Sequence, residues 1–319
     1  MYIIDDANGI SRELSAWRQD FHMYPELGFQ ETRTAGRVAE LLKSFGCRVQ
    51  RSVGRTGVVG ELGSGSPCIA IRADMDALPI QEANLVPYAS QNDGVMHACG
   101  HDAHTAMALG AAKLLAGMPL KGSVRFLFQP SEEANDAEGL SGAPRMIADG
   151  ALQGVDMIIA QHVDPSTPVG EIRLGVGPAS GGVDSFFATI IGKGGHGARP
   201  QEAIDPIYIS AYVILALNGI VSRKLHPFDP AVVSLGSIHG GQAENVIPRH
   251  VALSGTLRYT EPDVQKQVHA EIKRAFELTR SLGGDYELHF ETGNPPMINH
   301  AAAVELIHAA AVNLLGASH

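Results

Sequence analysis

The chain has 319 residues, of which 45% are hydrophobic and 18% are charged, and this composition is typical of a globular protein with a large core. Because 319 residues exceed the usual size of one compact core, the first expectation is two domains. A formal net charge of -10 without any basic block argues against nucleic acids and anionic membranes as partners. A small molecule or another protein is the expected partner.

Cysteine content and the N-terminus indicate the compartment. Cys47, Cys68 and Cys99 form a sparse, odd-numbered set, which suits a reducing environment better than a disulfide framework. The N-terminal sequence MYIIDDAN has neither the basic nor the apolar region of a secretion signal. The longest apolar run, about 207–220, contains an asparagine and is shorter than the roughly 20 residues that cross a bilayer. We therefore predict a cytoplasmic protein.

The first half of the chain predicts strands that alternate with helices. A helical region covers about 10–46 and is interrupted near Pro25. The elements predicted after it are strands over 57–62, 68–73, 123–128 and 157–161, and helices over 104–116 and 142–150. This alternation predicts an α/β fold, with a mainly parallel sheet that has helices on both faces. In such sheets, ligands bind beyond the carboxyl ends of the strands.

After Pro178 the pattern changes to the order β-α-β-β-α-β. The predicted strands cover 185–192, 231–238, 250–259 and 286–291, and the predicted helices cover 205–225 and 261–282. This order is typical of a ferredoxin-like α+β unit, with an antiparallel sheet and two helices on one face. We place this unit as an insertion over 183–292, so that 1–182 and 293–319 form the first domain.

The segment MHACGHDAH, residues 96–104, combines three imidazoles, a thiol and a carboxylate. Cys99 and His101 carry donor atoms that zinc-like ions bind well, and their spacing in an extended or looped backbone turns both side chains the same way. The alternative is a polar loop whose histidines cap the next helix, and for His97 or His104 alone that alternative is favoured. The whole cluster predicts a metal site.

Three other polar groups follow predicted strands at their carboxyl ends. They are Asp74 with Asp76, Glu132 with Glu133, and His162. Because parallel strands end at one rim of the sheet, these side chains are expected to meet there. Glu132 and Glu133 are adjacent and should point opposite ways, so that one carboxylate can bind an ion while the other takes a proton from water. A solvated acidic turn is the alternative for this pair.

Four candidate residues have both a functional and a structural interpretation. Asp76 can orient a ligand imidazole, or cap a turn before Pro79. In the insertion, His196 lies in a glycine-rich segment at a strand end, where it can donate a hydrogen bond to an oxyanion or simply form a flexible turn. Asn245 and Arg258 can hold a substrate carboxylate, or serve the fold.

Four segments, taken in order, resemble one known family. They are RADMDALP (72–79), MHACGHDAHT (96–105), FQPSEE (128–133) and GGHGARP (194–200). They are similar to the metal-dependent amidohydrolases that include hippurate hydrolases, N-acyl-amino-acid amidohydrolases and plant auxin-conjugate hydrolases, within the aminoacylase and carboxypeptidase superfamily. The match extends over nearly the whole chain.

The resemblance implies a two-domain enzyme that hydrolyses the amide bond of N-acyl amino acids. Its catalytic domain (1–182 with 293–319) would hold two divalent metal ions, and its inserted lid (183–292) commonly forms a homodimer. The thiolate favours zinc, although manganese, nickel and cobalt also suit such a site.

The resemblance also implies roles for individual residues. The metal ligands would be Cys99, His101, Glu133 and His162. Glu132 would be the general acid/base, Asp76 would orient a ligand, and His196 would polarise the scissile carbonyl, often in the partner's site.

One departure from the family leaves other interpretations open. Family members continue for several tens of residues beyond this chain, and that stretch supplies further strands and a last histidine ligand. His319, at the end of this chain, is not assigned that role. The chain is therefore expected to be a fragment or a decayed homologue with one under-coordinated metal position. A decayed homologue would bind metal or dimerise without catalysis. A third hypothesis makes Cys99 a nucleophile with His101 as its base.

Overall fold

The computed structural model describes residues 3–316, with side chains from Asp5 onward, and His319 lies outside the described residues. Contacts divide the described chain into two units. Unit 1 extends to Ile172 and includes the residues from Ala311, and unit 2 is Arg173–Ala310. Unit 2 is wider than the predicted 183–292 insertion, because it includes two segments that flank the insertion and pair with each other.

Unit 1 begins with three helices and continues as strands connected by loops and two more helices. The helices are α1 (Ile3–Gly9), α2 (Ser11–Met23), α3 (Thr32–Ser44), α4 (His101–Ala116) and α5 (Gly142–Ala148). The strands are β1 (Arg48–Val53), β2 (Gly57–Gly63), β3 (Cys68–Asp74), β4 (Ser123–Gln129) and β5 (Met157–Ala160).

The five strands of unit 1 form one sheet in the order β1-β2-β4-β3-β5. Strand β3 pairs in parallel with both β4 and β5, whereas β2 pairs antiparallel with β1 and β4. Four of the five strands therefore run in the same direction and only β2 is reversed, which confirms the predicted mainly parallel α/β sheet. Strand β1 was not predicted, because most of its residues are polar and exposed.

Alternate residues of the central strand β4 point to opposite faces of this sheet, as strand geometry requires. Phe126 and Phe128 pack into the larger core with α2, α3 and α4. Leu127 faces the other side, where it packs with Met146 of α5 and Ala151. Helices thus cover both faces, which leaves the rim at the carboxyl ends of the strands for ligand-binding groups.

Unit 2 contains the predicted β-α-β-β-α-β order together with shorter strands. Its strands are β6 (Gly177–Ser180), β7 (Gly182–Ile191), β8 (Gly195–His196), β9 (Ala231–Gly240), β10 (Val246–Ile247), β11 (His250–Tyr259), β12 (Asp285–Thr292) and β13 (Met297–Asn299). Its helices are α6 (Pro206–Lys224), α7 (Pro262–Ser281) and most of α8 (Ala301–Leu315), with a 3-10 turn over Pro200–Glu202.

The main sheet of unit 2 has the order β12-β7-β11-β9 and is antiparallel throughout. Buried residues of α6 and α7 pack against it, including Val213, Leu217 and Phe276. This is the predicted ferredoxin-like arrangement. Two short ladders accompany it, β8 with β10 and β6 with β13, and the second joins the flanking segments.

Helix α6 is longer than the apolar run of about 207–220, which was too short to predict a membrane-spanning segment. Its 19 residues are long and apolar enough to cross a bilayer by length and composition alone. The core helix of a globular unit passes the same test, and α6 packs Ile209, Val213 and Leu217 into the core of unit 2.

Candidate metal centre

The residues of the predicted metal site all belong to unit 1 and come from four segments. Asp76 follows β3, and Glu132 with Glu133 follows β4. His162 follows β5, and Cys99 with His101 lies at the start of α4. The parallel strands β3, β4 and β5 are neighbours, so their carboxyl ends deliver these groups to one rim of the sheet.

His101 is buried, and the surroundings determine which ring nitrogen faces the site. Its Nδ1 donates to the backbone oxygen of Asp76 at 2.9 Å and lies 3.2 Å from the Asp76 carboxylate. Its Nε2 is buried without a hydrogen-bond partner among the described residues. Because Nδ1 carries the ring proton, Nε2 has a free lone pair, and a buried nitrogen with a free lone pair and no donor nearby suits a metal ion.

Cys99 and His162 approach each other from two different segments. The Cys99 Sγ lies 3.4 Å from His162 Nε2. Ligands of one zinc ion lie roughly 3.6 Å apart when one is a thiolate and the other an imidazole. Donor atoms of Cys99, His101 and His162 all lie within 4.8 Å of one another. Three groups of donors share His101, and these three side chains form the first; the third joins His101 to Asp74 and His104.

Glu132 and Glu133 form the second group with His101. One donor atom from each of the three residues lies within 4.8 Å of the others, and His101 Nε2 is 3.8 Å from Glu133 Oε1. The expectation that the two carboxylates point opposite ways is therefore wrong. Strand alternation ends at Gln129, and Ser131 has a positive φ of 41°, which redirects the chain before the two glutamates.

The start of α4 also differs from the prediction. The helix begins at His101, one turn earlier than the predicted 104. Gly100 precedes it with φ 87°, a left-handed conformation that glycine adopts without strain. Cys99 and His101 therefore reach one site through a sharp turn and not through an extended segment.

The electrostatics of the first two groups favour a bound cation. Burial, followed by the Glu133 carboxylate, raises the pKa of the Cys99 thiol to about 12. Burial and the charge of Glu133 also raise the pKa of Glu132. Burial disfavours the charged form and is the larger cause of both shifts, and the neighbouring carboxylate adds to it. A divalent ion bound here would counter both causes and keep the thiolate ionised.

The residues therefore fit a divalent metal centre on three observations. An imidazole nitrogen is buried without a partner among the described residues, soft and hard donors lie at ligand spacing, and two carboxylates belong to the same set of donors. The predicted ligands Cys99, His101, Glu133 and His162 are all members of the first two groups.

The sequence offered little reason to assign a role to Asp74 and His104, which form hydrogen bonds at the rim of the sheet. Asp74 is buried and accepts a hydrogen bond from His104 Nδ1 at 2.6 Å. Burial would raise the pKa of Asp74, but the hydrogen bond from His104 and the charge of Arg72 outweigh it and hold that pKa well below its usual range. The signal was the position of Asp74 at a strand end, two residues before Asp76.

A third such residue, Glu31, was missed altogether. It is fully buried beneath the segment that carries Glu132, and its Oε1 accepts a hydrogen bond from the Ser131 backbone at 2.8 Å. Nothing in the sequence around Glu31 distinguishes it from an ordinary residue before a helix.

In unit 2 the structure brings His196 and Asn245 together. His196 lies on β8, which pairs with β10, and the Gly197 amide donates to the Asn245 backbone oxygen at 2.8 Å. The Ala198 amide donates to His196 Nδ1 at 3.1 Å, so the ring proton is on Nε2. A cavity of about 470 Å³ adjoins this ladder.

Arg258 does not join that cluster. It is exposed near the far end of β11, eight residues after His250. At the usual strand rise, this is about 26 Å from the end where Asn245 lies. Asn245 and Arg258 therefore lie far apart within one copy of unit 2, and their role in holding a substrate carboxylate stays a prediction.

Comparison with known proteins defines the class. Residues 70–319 match the model of peptidase family M20/M25/M40. The chain belongs to this family of metal-dependent peptidases and amidohydrolases, as the four motifs predict.

Individual relatives make the family relationship more specific. An N-acyl-L-amino acid amidohydrolase of Geobacillus stearothermophilus is 42% identical over 296 residues, covering 91% of this chain and 79% of that protein. The hippurate hydrolase of Campylobacter jejuni is 37% identical over 99% of this chain and 82% of its own length. A crystal structure of the Bacillus subtilis YXEP protein, described as a dinuclear metal-binding peptidase, superimposes with a TM-score of 0.83 at 35% identity, covering 96% of this chain and 81% of that one.

Proposed function

We propose that this protein hydrolyses the amide bond of N-acyl amino acids and releases a carboxylic acid and a free amino acid. One observation carries the proposal most directly. The Glu132 carboxylate lies in the same group as Glu133 and the unpartnered Nε2 of His101. A proton acceptor beside two ligand positions is the arrangement that metal-assisted hydrolysis needs. The names of the amidohydrolase and hippurate hydrolase relatives support this substrate class.

Two divalent cations would be held by Cys99, His101, Glu133 and His162. Such ions lower the pKa of water toward about 7 and polarise a carbonyl oxygen. The thiolate favours zinc, and manganese, nickel or cobalt would also fit these donors. The Asp76 carboxylate orients His101 by contacting its ring Nδ1. It also accepts the Glu133 backbone N–H at 3.0 Å, so Asp76 positions two ligands.

Glu132 is assigned the proton transfers. It takes a proton from the attacking water, whose oxygen bonds to the carbonyl carbon, and delivers that proton to the leaving nitrogen as the C–N bond breaks. The raised pKa of Glu132, caused by burial and by Glu133, suits a group that must both accept and donate a proton. The proton balance closes without any further donor.

His196 is assigned the stabilisation of the oxyanion, and Asn245 the binding of the substrate carboxylate. The Nε2–H of His196 is available as a donor because its Nδ1 accepts the Ala198 amide. A single well-placed donor of this kind contributes about 10²-fold to 10³-fold in rate.

The test is the Glu132→Gln variant, assayed on N-acetyl, N-benzoyl and indole-acetyl amino acids. We expect kcat/KM to fall about 10²-fold to 10⁴-fold, with two equivalents of metal still bound. Glu40→Gln, an exposed change on α3, is the matched control and should behave as wild type. Wild-type turnover by Glu132→Gln would overturn the assignment of Glu132. Metal uptake by the wild-type protein without hydrolysis of any substrate would favour the non-catalytic alternative.

A cysteine nucleophile at Cys99 is a poorer account of the same residues. Burial and Glu133 raise the pKa of the thiol to about 12, so almost no thiolate would exist at neutral pH without a cation. A chelator should therefore abolish activity, whereas it would spare a cysteine-dependent hydrolase.

We further propose a cytoplasmic homodimer that forms through unit 2. Strand β9 is an edge strand, and α6 exposes the apolar surface of Tyr208, Tyr212 and Leu215. An exposed apolar helix face beside an open strand edge is suited to a symmetric contact between two copies.

A further inference from the structure

His104 is buried next to the candidate metal centre, but both of its ring nitrogens are already used. Its Nδ1 donates to Asp74 Oδ1 at 2.6 Å, and its Nε2 accepts the Val163 backbone N–H at 3.0 Å. The donor atoms of Asp74, His101 and His104 nevertheless lie close enough to hold an ion. These three residues are therefore either a further ion position or a hydrogen-bonded support.

The contacts of Asp74 distinguish the two possibilities. Its Oδ1 has the His104 donor, and its Oδ2 has the Arg72 guanidinium at 2.6 Å. Arg72 is itself held by Gln129 at 2.9 Å, and the Asp74 backbone oxygen accepts the Thr105 hydroxyl at 2.8 Å. An ion held by His104 would have to displace the Val163 amide from Nε2 or the proton on Nδ1, and it would compete with Arg72 for Asp74, so a hydrogen-bonded support is the better account.

This support acts on the residue that follows His162. The His104 acceptor fixes the Val163 amide, and His162 Nδ1 donates to the Val163 backbone oxygen at 2.7 Å. This leaves His162 Nε2 as the free nitrogen, 3.4 Å from Cys99 Sγ. Val163 is thus bonded through its N–H to His104 and through its C=O to His162.

Packing at Gly100 reinforces the same connection. A Cβ atom at Gly100 would lie 2.3 Å from Val163 Cγ2, so the loop after β5 sits directly against the residue between Cys99 and His101. The His104 and His162 rings meet edge to face, 4.6 Å apart. His162 itself is exposed, so these contacts supply the order that burial does not.

We propose that Asp74 and His104 are positioning residues that hold the free nitrogen of His162 against Cys99 and do not bind an ion themselves. The inference rests on the proposed function in taking His162 and Cys99 as ligands of one ion. Partners that orient metal ligands in this way typically change metal affinity by about 10-fold to 100-fold.

The test compares two substitutions of His104 that each keep one of its hydrogen bonds. In His104→Gln the amide oxygen can occupy the position of Nε2 and accept the Val163 N–H, whereas His104→Asn keeps only the contact with Asp74. Binding of Co²⁺ to the protein is followed through the thiolate-to-cobalt absorption of Cys99 and by metal analysis.

We expect His104→Asn to weaken Co²⁺ binding at the thiolate position at least 10-fold, with the number of ions at saturation unchanged. His104→Gln should stay within about 3-fold of the wild-type protein. His22→Asn, a change at a buried histidine on α2, is the control and should leave the cobalt titration unchanged.

Wild-type affinity in His104→Asn would overturn the proposal. Loss of one ion per chain in both His104 variants would also overturn it, because His104 would then be a ligand. Unchanged cobalt binding in His162→Ala would instead refute the ligand set of the proposed function. The readout does not depend on turnover, so an inactive wild-type protein would leave the positioning role fully testable.

Discussion

The histidines of unit 1 differ in what their two ring nitrogens contact, and these contacts determine what each one can do. His101 and His162 each use Nδ1 for a backbone oxygen, which leaves Nε2 for an ion. His104 uses both nitrogens within the protein. His97 is buried, and neither nitrogen has a hydrogen-bond partner among the described residues. Residue type alone cannot separate these roles.

His97 gives a prediction about pH. Burial lowers its pKa to about 4, against an ordinary value near 6.5. Between these values the unfolded imidazole binds a proton that the folded one does not, so stability rises with pH across this window, by at most about 1.4 kcal/mol per pH unit. Removing the imidazole in His97→Phe should flatten the pH dependence between about 4 and 6.5.

The measurement is urea unfolding of chelated wild-type and variant proteins at pH 4.5, 5.5, 6.5 and 8. His289→Asn, a change at an exposed histidine on β12, should keep the wild-type pH dependence. Equal pH dependence in wild type and His97→Phe would show that the imidazole does not remain neutral in the folded protein.

The turn after β4 presents both glutamates, and it depends on a buried carboxylate from a distant part of the chain. Ser131 has a positive φ of 41°, a conformation that residues other than glycine adopt at a cost. Glu31 accepts the Ser131 amide at 2.8 Å and the Phe29 amide at 3.0 Å, and it also accepts the Thr56 hydroxyl. One side chain therefore satisfies three donors around a strained turn.

Glu31→Ala is expected to destabilise unit 1 by about 2–4 kcal/mol, because it leaves buried amides unpaired. It should also lower kcat/KM, since Glu132 follows Ser131 directly. Glu31→Gln keeps one acceptor oxygen and should lose less stability. Urea unfolding and the amidohydrolase assay measure the two effects.

Glu40→Ala, an exposed glutamate to alanine change on α3, is the control and should remain within about 0.5 kcal/mol of wild type. If Glu31→Ala matched that control in stability, Glu31 would not brace the turn.

Sequence patterns predicted the elements whose hydrophobic period is strong and the motifs that carry several donor atoms. The four-stranded sheet of unit 2 was predicted from alternating hydrophobic and polar residues. The same alternation appears as alternating burial along β7, β9, β11 and β12. Strand β1 has no such alternation, since only Val53 of its six residues is buried. A strand with so few buried residues leaves no hydrophobic period to detect.

The site was predictable as a set of donor types and not as a geometry. Cys99 and His101 stand out because thiols and imidazoles are concentrated there. The direction of Glu132 depends on one dihedral angle at Ser131, and the distance of Arg258 from Asn245 depends on where a strand runs. Such features arise from tertiary structure, so local sequence does not encode them.

For the whole molecule, the clustered donors predict that divalent cations stabilise the folded state. A ligand that binds only the folded protein contributes about 2.7 kcal/mol at 100 times its Kd. For a unit of this size this corresponds to a rise in Tm of roughly 5–10 °C. Calorimetry with added Zn²⁺ or Mn²⁺ should show the rise, and a chelator should reverse it.

The His101→Ala variant is the control and should lose most of the rise in Tm, because every candidate group of donors among the described residues includes His101. An equal rise in that variant would indicate cation binding elsewhere on the protein.

The proposed homodimer gives a prediction about the oligomeric state. Leu215 on α6 is 72% exposed, so Leu215→Arg should shift the protein toward the monomer without lowering its stability. Analytical ultracentrifugation over a range of concentrations measures the change. Leu85→Arg, the same change at an exposed leucine of unit 1, should leave the oligomeric state of wild type intact. A monomeric wild-type protein would refute the dimer.

Strand β5 has a neighbouring strand on one side only within residues 3–316, and its Ile158 is 46% exposed. Open backbone donors and acceptors on such a strand can accept another extended chain. The segment that carries His162 leaves this same strand immediately after Ala160 and Gln161. A polypeptide that paired with the open edge of β5 would restrict the motion of His162. Strand addition and cation uptake would then be thermodynamically reciprocal, each event raising the affinity for the other by the same factor.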